Sequence, residues 1–394
     1  MIIYFILILA FLILAPYIFY PALLVVLSYL FRHKFKESPD SALYVSIIIP
    51  TFNEVKVIAE RMKNLDALLY PRDRLQVIIV DSGSTDGTYE EAEKSAKLSS
   101  LDCNVLRQNE RKGKANAVNF AIQYAKGEII IVSDANALFE KNSLQEIVKP
   151  FNSKDVGGAG GRFITMGMNL VGKGEELYWS IEDKIRKAES VLYSITNFSG
   201  EFNSFRRSMG IILDEKSLAE DFDLTLQIIE KGYKVVYVPE ALVYEPAVEH
   251  THDLIKQKKR RAVGTIQVLF KHIGMFINPK LLVFNLLLFF HKVLRVFTPF
   301  LALAIAILLC IFFYSIRSSF KYETLALAAA LIIISVALIE VIFKKGFLRK
   351  LYYFLIVQYS YILAWIEFLT GKYKVTWEKT DSSRDLKNVM EKVK

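Results

Sequence analysis

The chain has 394 residues, 53% of them hydrophobic and 23% charged, and a net charge of +9. So large an apolar share excludes a disordered protein and does not fit an ordinary soluble enzyme. Two cysteines, Cys103 and Cys310, cannot build a disulfide framework or a zinc site.

Residues 2–31 carry no charge. As a helix they would reach about 45 Å, and a hydrocarbon core of about 30 Å needs roughly 20 residues. The segment therefore predicts one span, tilted or kinked at Pro16 or Pro21, rather than a hairpin. A secretory signal peptide is the alternative, but a basic n-region and a small-residue cleavage site are both missing. Arg32, His33, Lys34 and Lys36 follow directly. By the positive-inside rule they place the amino terminus outside and the next segment in the cytoplasm.

Residues 32–280 are polar and mixed, long enough for one large globular domain, and show no repeat period. YVSIIIP (44–50), LQVIIVD (75–81) and GEIIIVSDAN (127–136) read as buried strands, with helical spacing at 55–69 and 88–98 between them. Near-continuous apolar strands alternating with helices predict an α/β fold with a mostly parallel sheet. Ligands of such sheets bind at the carboxyl ends of the strands. Polar residues gather there: Thr51, Phe52, Asn53 and Glu54, then Asp81 to Gly87, then Asp134 and Asn136. One such end is explained by helix capping, as at Ser84 to Asp86; three on one edge predict a site.

Asp134 and Asn136 lie two apart, which in an extended chain puts both side chains on one side. A carboxylate and an amide oxygen there suit a hard divalent cation that also binds phosphates. Arg111, Lys112, Gly113 and Lys114 precede a helix beginning near Ala115. Cations at a helix amino terminus favour an anion such as a diphosphate, the alternative being a solvated basic turn. Glu220, Asp221 and Asp223 open another helical stretch. One acid serves as a cap; a second, near a metal and a diphosphate, can act as general base toward an acceptor hydroxyl. QKKRR (257–261) is a basic block suited to lipid headgroups or to nucleic acid. No stacking aromatics are interleaved and membrane follows, so nucleic acid is not expected.

Residues 281–295, with His291, Lys292 and Arg295 near one end, predict an amphipathic interfacial helix. Residues 296–316 and 324–343 are each long enough to span, and Lys344, Lys345, Arg349 and Lys350 follow on the cytoplasmic side. Residues 351–370 have the length of a span but are rich in Tyr and hold Gln358 and Glu367, so crossing and interfacial placements both stay open.

IIPTFNE (48–54), VDSGSTDGT (80–88), KGKANAVNFA (112–121), SDAN (133–136), SGEFNSFRR (199–207) and EDFDL (220–224) resemble, in order, the motifs of family 2 glycosyltransferases. The flanking spans are similar to the membrane-integrated branch that makes hyaluronan, chitin, cellulose, poly-N-acetylglucosamine and exopolysaccharides. The resemblance implies a Rossmann-like GT-A domain over 32–262. Around it would lie a span at 1–31, interfacial helices at 263–295, two or three spans within 296–370 and a polar tail at 371–394. It implies a cell-membrane, multi-pass enzyme with a cytoplasmic catalytic domain and a nucleoside-diphosphate sugar donor, most often a UDP-sugar.

Carried over residue by residue, Pro50, Thr51, Asn53, Glu54, Asp81, Lys114 and Asp134 would bind donor. Asp134 and Asn136 would hold Mg²⁺ or Mn²⁺, the amide standing where the family has a second acid. Asp221, beside Glu220, would be the catalytic base of an inverting transfer. Gly200, Glu201, Gln257, Arg260 and Arg261 would face acceptor or diphosphate. The Q-x-x-R-W motif of processive synthases is broken: Arg261 stands where the Trp would stack on the acceptor sugar, which puts polymerisation in question. WEKT (377–380), with Trp377, resembles a C-terminal element of such synthases and favours a cytoplasmic tail. The implied acceptor is a growing glycan, the alternative a single transfer to a polyprenyl phosphate or other lipid. A transporter is disfavoured because residues 2–31 and 296–316 lack ionisable groups, and a dead scaffold because Asp81, Asp134 and Asp221 are intact.

Overall fold

The computed structural model describes residues 1–30, 43–167, 169–248, 250–316 and 347–373, with Leu386 and Val389. The basic runs at 32–36 and 344–345, the apolar segment 324–343 and the WEKT element lie outside the described residues.

Four parallel strands form one half of the sheet: β1 (Val45–Thr51), β2 (Leu75–Ser82), β3 (Asp102–Gln108) and β4 (Ile129–Val132), in the order β3-β2-β1-β4. Both faces of β1 are apolar because both are covered. Ile47 and Ile49 pack on α3 (Val55–Asp66) and α4 (Thr88–Leu98), while Ile48 points the other way, onto α5 (Lys114–Ile122). β3 has no strong sequence signal, since its residues are only half-buried at the sheet edge.

The second half adds β5 (Leu138–Phe139), β6 (Val156–Met166), β7 (Asn203–Arg206) and β8 (Lys234–Pro246), giving β3-β2-β1-β4-β7-β6-β8-β5. β7 runs antiparallel to both β4 and β6, and β5 to β8, so parallel pairing holds a majority rather than the whole sheet. The strand expected over 127–136 is shorter than its pattern: after Val132 the chain turns, closed by Ala137 N–H donating to the Asp134 carbonyl at 3.3 Å. The extended-chain argument for Asp134 and Asn136 therefore does not hold.

Helices α6 (Ser143–Val148), α7 (Leu170–Leu192), α8 (Glu220–Glu230) and α9 (Thr251–Lys271) complete the domain. The domain boundary expected at 262/263 falls inside α9. That helix passes so close to the start of α8 that a Cβ on Gly264 would stand 2.8 Å from the Ala219 nitrogen. The contact presses the helix carrying Arg260 against the residues that introduce Glu220 and Asp221.

At the amino terminus, α1 (Ile2–Leu14) and α2 (Tyr20–Leu30) join through a π-turn that holds Pro16, forming one bent apolar helix. Toward the other end, α10 (Leu282–Leu288) runs through a second π-turn into α11 (Leu294–Ile316). The interfacial helix expected at 281–295 is thus not separate; it is the near part of one long helix. Among the described residues, Ile2–Leu30, Pro279–Ser315 and Leu351–Thr370 are long and apolar enough to cross a membrane. Their large side chains, such as Phe5 at 53% and Leu303 at 58%, are exposed without protein cover.

The last helix, α12 (Phe347–Thr370), lies along α9, where Lys259 pairs with Glu367 and Phe270 stacks on Phe368. Leu386 and Val389, beyond it, are buried in the same core as β1 and α3.

Candidate active site

Two adjoining cavities open at the carboxyl ends of β1, β2 and β4. The outer one, about 100 Å³, is lined by Pro50, Thr51, Phe52 and Glu54 from the β1 end, Ser82 from β2, and Asp134 to Asn136 after β4. Gly113, Lys114 and Ala115 add the amino terminus of α5, and Arg111 lies 4.1 Å over the Phe52 ring. Gly113 has φ +96°, which a side chain would strain. It turns the α5 N–H groups toward the cavity, where they and Lys114 suit an anion.

The inner cavity, about 160 Å³, shares Lys114, Asp134, Glu220 and Arg260 with the outer one and adds Asp221. Its walls come from distant helices: Tyr178, Trp179 and Arg186 of α7, Lys258 and Arg261 of α9, Arg295 and Val296 of α11, and Val357 and Tyr361 of α12. The segment Asn197–Glu201, before β7, closes one side.

Lys114 stands at the junction. Its Nζ is 2.7 Å from Asp134 Oδ1 and 3.2 Å from Glu220 Oε1, and donates to the Gly200 carbonyl at 3.0 Å. Burial works against its charge, but Asp134 and Glu220 outweigh it and hold the ammonium above its ordinary range. A Cβ on Gly200 would stand 3.6 Å from both Asp221 Oδ2 and Lys114 Nζ, an ordinary contact that places this segment directly against the junction. Asp221 has the opposite balance. Burial first, then Glu220, push its carboxyl up to about 6 against the pull of Lys114, the range of a poised general base.

Two residues on, Asp223 points away from the site. It accepts from His272 at 2.9 Å and Lys271 at 2.8 Å, and these cations overcome burial to hold it below its ordinary value. Asp223 thus locks α8 to the end of α9, where the sequence had offered capping.

Three expected site residues are placed differently. Asn53, at φ +54°, laces two loops: its N–H donates to Ser84 Oγ and its Oδ1 accepts from the Thr85 N–H. It does not line either cavity. Asn136 borders the outer cavity but is buried, and its Nδ2 donates to Glu245 Oε2 at 3.2 Å. Gln257 sits one helical turn before Arg260 and Arg261 and lines neither cavity. Asp81 is fully buried below the outer cavity, with Ser84 N–H on one oxygen and the other without a partner among the described residues.

Sequence reasoning missed Trp179 and Tyr178, and named Lys258 only within the basic block 257–261. Arg261 does occupy the place of the expected stacking Trp, pairing with Glu201 at 3.1 Å, but it lies over the ring of Trp179, 5.3 Å away. Tyr178 and Trp179 of α7 therefore line the inner cavity beside Arg261. Adjacent aromatics at 178–179 in a helical pattern were the only available signal. Lys258 lies 4.2 Å over Tyr178; burial, then Arg261, lower its ammonium to about 8 despite Glu175.

Among the described residues no group of three or more His, Cys, Asp or Glu can hold a metal unaided. Asp134, partly exposed on the cleft, fits a cation that takes one carboxylate and completes its shell with water and a diphosphate.

A mixed sheet with an anion-binding edge, a carboxylate for a metal and a poised acid describes a nucleotide-sugar enzyme of the GT-A fold. Residues 46–210 match the family described as Glycosyl transferase family 2, and 129–366 match Glycosyl transferase family group 2. The chain belongs to the family 2 glycosyltransferases. It is 26% identical to the probable glycosyltransferase YdaM of Bacillus subtilis, over 89% of this chain and 88% of that one. To a poly-beta-1,6-N-acetyl-D-glucosamine synthase of Staphylococcus aureus it is 25% identical, over 61% of this chain and 60% of the synthase. Among solved structures, the Pyrobaculum calidifontis mannosyltransferase PcManGT, in complex with GDP-Man and Mn²⁺, superposes with a TM-score of 0.73 at 25% identity. That match covers 95% of this chain and all of the other.

Proposed function

We propose that the chain is a membrane-bound inverting glycosyltransferase that moves one sugar from a nucleoside-diphosphate sugar to a hydroxyl of a glycan acceptor. The outer cavity takes the donor and the inner one the acceptor, with the catalytic domain on the cytoplasmic face. The observation that carries the acceptor reading is the set of buried polar atoms without partners around the inner cavity. Trp179 Nε1, Arg186 Nε and Arg295 Nε offer hydrogens, whereas Asn197 Oδ1 and Glu201 Oε2 require them. A sugar hydroxyl both donates and accepts, so pyranose hydroxyls satisfy both kinds. A phosphate dianion has nothing to give Asn197 or Glu201.

The chemistry follows from position. Asp221 takes the proton of the acceptor hydroxyl, its oxygen bonds to the anomeric carbon, and the carbon–oxygen bond to the diphosphate breaks. Inversion results because acceptor and leaving group occupy opposite cavities. Lys114 and Arg260 face the departing charge. A Mg²⁺ or Mn²⁺ held by Asp134 would neutralise the diphosphate; Asn136, turned toward Glu245, is not part of that set. Asp81 reads a base that presents a ring N–H, which uracil and guanine do and adenine and cytosine do not.

A lipid-linked acceptor is the second reading, favoured by Lys258, Arg186 and Arg261 in a cavity that reaches Val296, Val357 and Tyr361 of the apolar helices. Incubating the purified full chain with radiolabelled UDP- and GDP-sugars, with and without glycan primers or polyprenyl phosphate, tests both. Primer-dependent elongation is expected. A product made only on the lipid phosphate would overturn the glycan reading.

A further inference from the structure

A buried cluster of charges lies behind the inner cavity; of His291, Glu182, Glu189 and Arg295, only Arg295 lines that cavity. His291, in the π-turn before α11, is completely buried. Its Nε2 is 3.0 Å from Glu182 Oε2 and its Nδ1 2.6 Å from Glu189 Oε1, two acids on one face of α7. Both acids are thus within hydrogen-bond reach of one ring. Glu182 also holds Arg295, and Glu189 also accepts from the Tyr20 hydroxyl at 2.6 Å. The first apolar helix, α7 and the helix leading into α11 therefore meet on one imidazole.

The same cluster reaches the catalytic segment. Thr196 N–H donates to Glu189 Oε2 at 3.0 Å, and Thr196 Oγ1 lies 2.8 Å from His291 Nδ1. Two residues later, Phe198 N–H donates to Thr225 Oγ1 at 3.0 Å, and that hydroxyl donates to the Asp221 carbonyl at 2.9 Å. Two further on, the Gly200 carbonyl receives Lys114 at 3.0 Å. One short segment, anchored at Thr196, thus sets both the lysine that spans the two cavities and the helix end bearing Asp221.

We propose that His291, acting through Glu189 and Thr196, is a positioning residue for sugar transfer, coupling the seating of the apolar helices to the placement of Lys114 and Asp221. Arg295 lines the inner cavity, whereas His291, Glu182, Glu189 and Thr196 line neither; the part of these four is to hold the 196–201 segment where Asp221 meets the acceptor. Misplacement by a fraction of an ångström in such a site is costly in rate and cheap in binding. The inference rests on the transferase reading of the cleft.

The test uses the full chain in lipid nanodiscs. Thr196→Val keeps the shape and removes the hydroxyl, Thr196→Ser keeps the hydroxyl, and His291→Gln leaves one carboxylate unserved. Thr196→Val and His291→Gln are expected to lower kcat by about 10-fold while nucleotide Kd stays within about 2-fold. Thr196→Ser is expected to recover most of kcat. If His291→Gln fails to fold, the Thr196 pair decides. Unchanged kcat in Thr196→Val, a parallel loss of nucleotide binding, or a Thr196→Ser as slow as Thr196→Val would each overturn the inference. A wild-type chain inactive with every nucleotide sugar would instead remove the transferase reading beneath it.

Discussion

The outer and inner cavities meet at Lys114 but are built by opposite means. The outer is made of strand ends and a helix amino terminus, so its key groups sit in short contiguous stretches: 50–54, 111–115, 134–136. The inner is made of side chains from α7, α8, α9, α11 and α12, brought together from across the chain. Backbone geometry and a few fixed charges suffice to hold a diphosphate, which looks the same on every donor. An acceptor must be recognised by its particular hydroxyls and faces, which takes aromatic walls and aimed polar atoms. The consequence is that each cavity can be disabled alone.

The largest separation should come from Asp221→Asn, which loses the base and nothing of the donor cavity. Turnover is expected to fall by about 10²-fold or more with nucleotide affinity nearly unchanged; near-normal turnover would remove Asp221 as base. Stability should move the other way. The folded carboxyl, at about 6, binds its proton more tightly than the unfolded one at about 3.9. Ionising it as pH rises between these values therefore favours the unfolded chain, and Asp221→Asn is expected to raise Tm at pH 7.

Asp134→Ala strikes a carboxylate on the wall of both cavities, and the effect is expected on the nucleotide. With Mg²⁺ or Mn²⁺ present, nucleotide binding measured by isothermal titration is expected to weaken by about 10-fold, a loss of about 1.4 kcal/mol. No change would mean that the metal position is wrong.

Trp179→Ala then asks whether the aromatic wall serves the acceptor. KM for a glycan primer should rise by roughly 10-fold while nucleotide Kd holds, and an equal shift in both would break the division of labour drawn here.

The mildest effect is on pH. Turnover should rise as Asp221 ionises near 6 and fall as Lys258 loses its proton near 8, giving a bell between them. Lys258→Arg, whose charge does not titrate in this range, should flatten only the alkaline limb.

Reading the chain without its fold found most of the stretches that line the outer cavity, because each is contiguous in sequence. β1, β2 and α4 follow directly from apolar runs and helical spacing, and the α5 amino terminus from a Gly between basic residues. β3 escaped because an edge strand needs only half an apolar pattern. The side-chain partners of Asn136 and Asn53 were not legible for a different reason. Both asparagines suit ligands by type, but one is turned inward by Glu245 and the other spans two loops, and neither partner is near in sequence. Asp221 and Asp223 show the limit most clearly. They are identical in type and two residues apart on one helix, yet one carboxyl is raised by Glu220 and burial and the other lowered by His272 and Lys271.

By itself, then, the sequence determined the α/β class and the apolar helices, and it singled out the acids and basic residues that the fold gathers at one cleft, because each depends on local pattern and residue type. Tertiary structure alone decided which acid faces the cleft and that Trp179 lines the inner cavity beside Arg261. It also decided that α12 lies along α9 and that Leu386 and Val389 are buried in the core of β1 and α3. Those outcomes depend on which helix faces lie against one another, and packing between residues more than a hundred positions apart leaves no periodic trace in the chain.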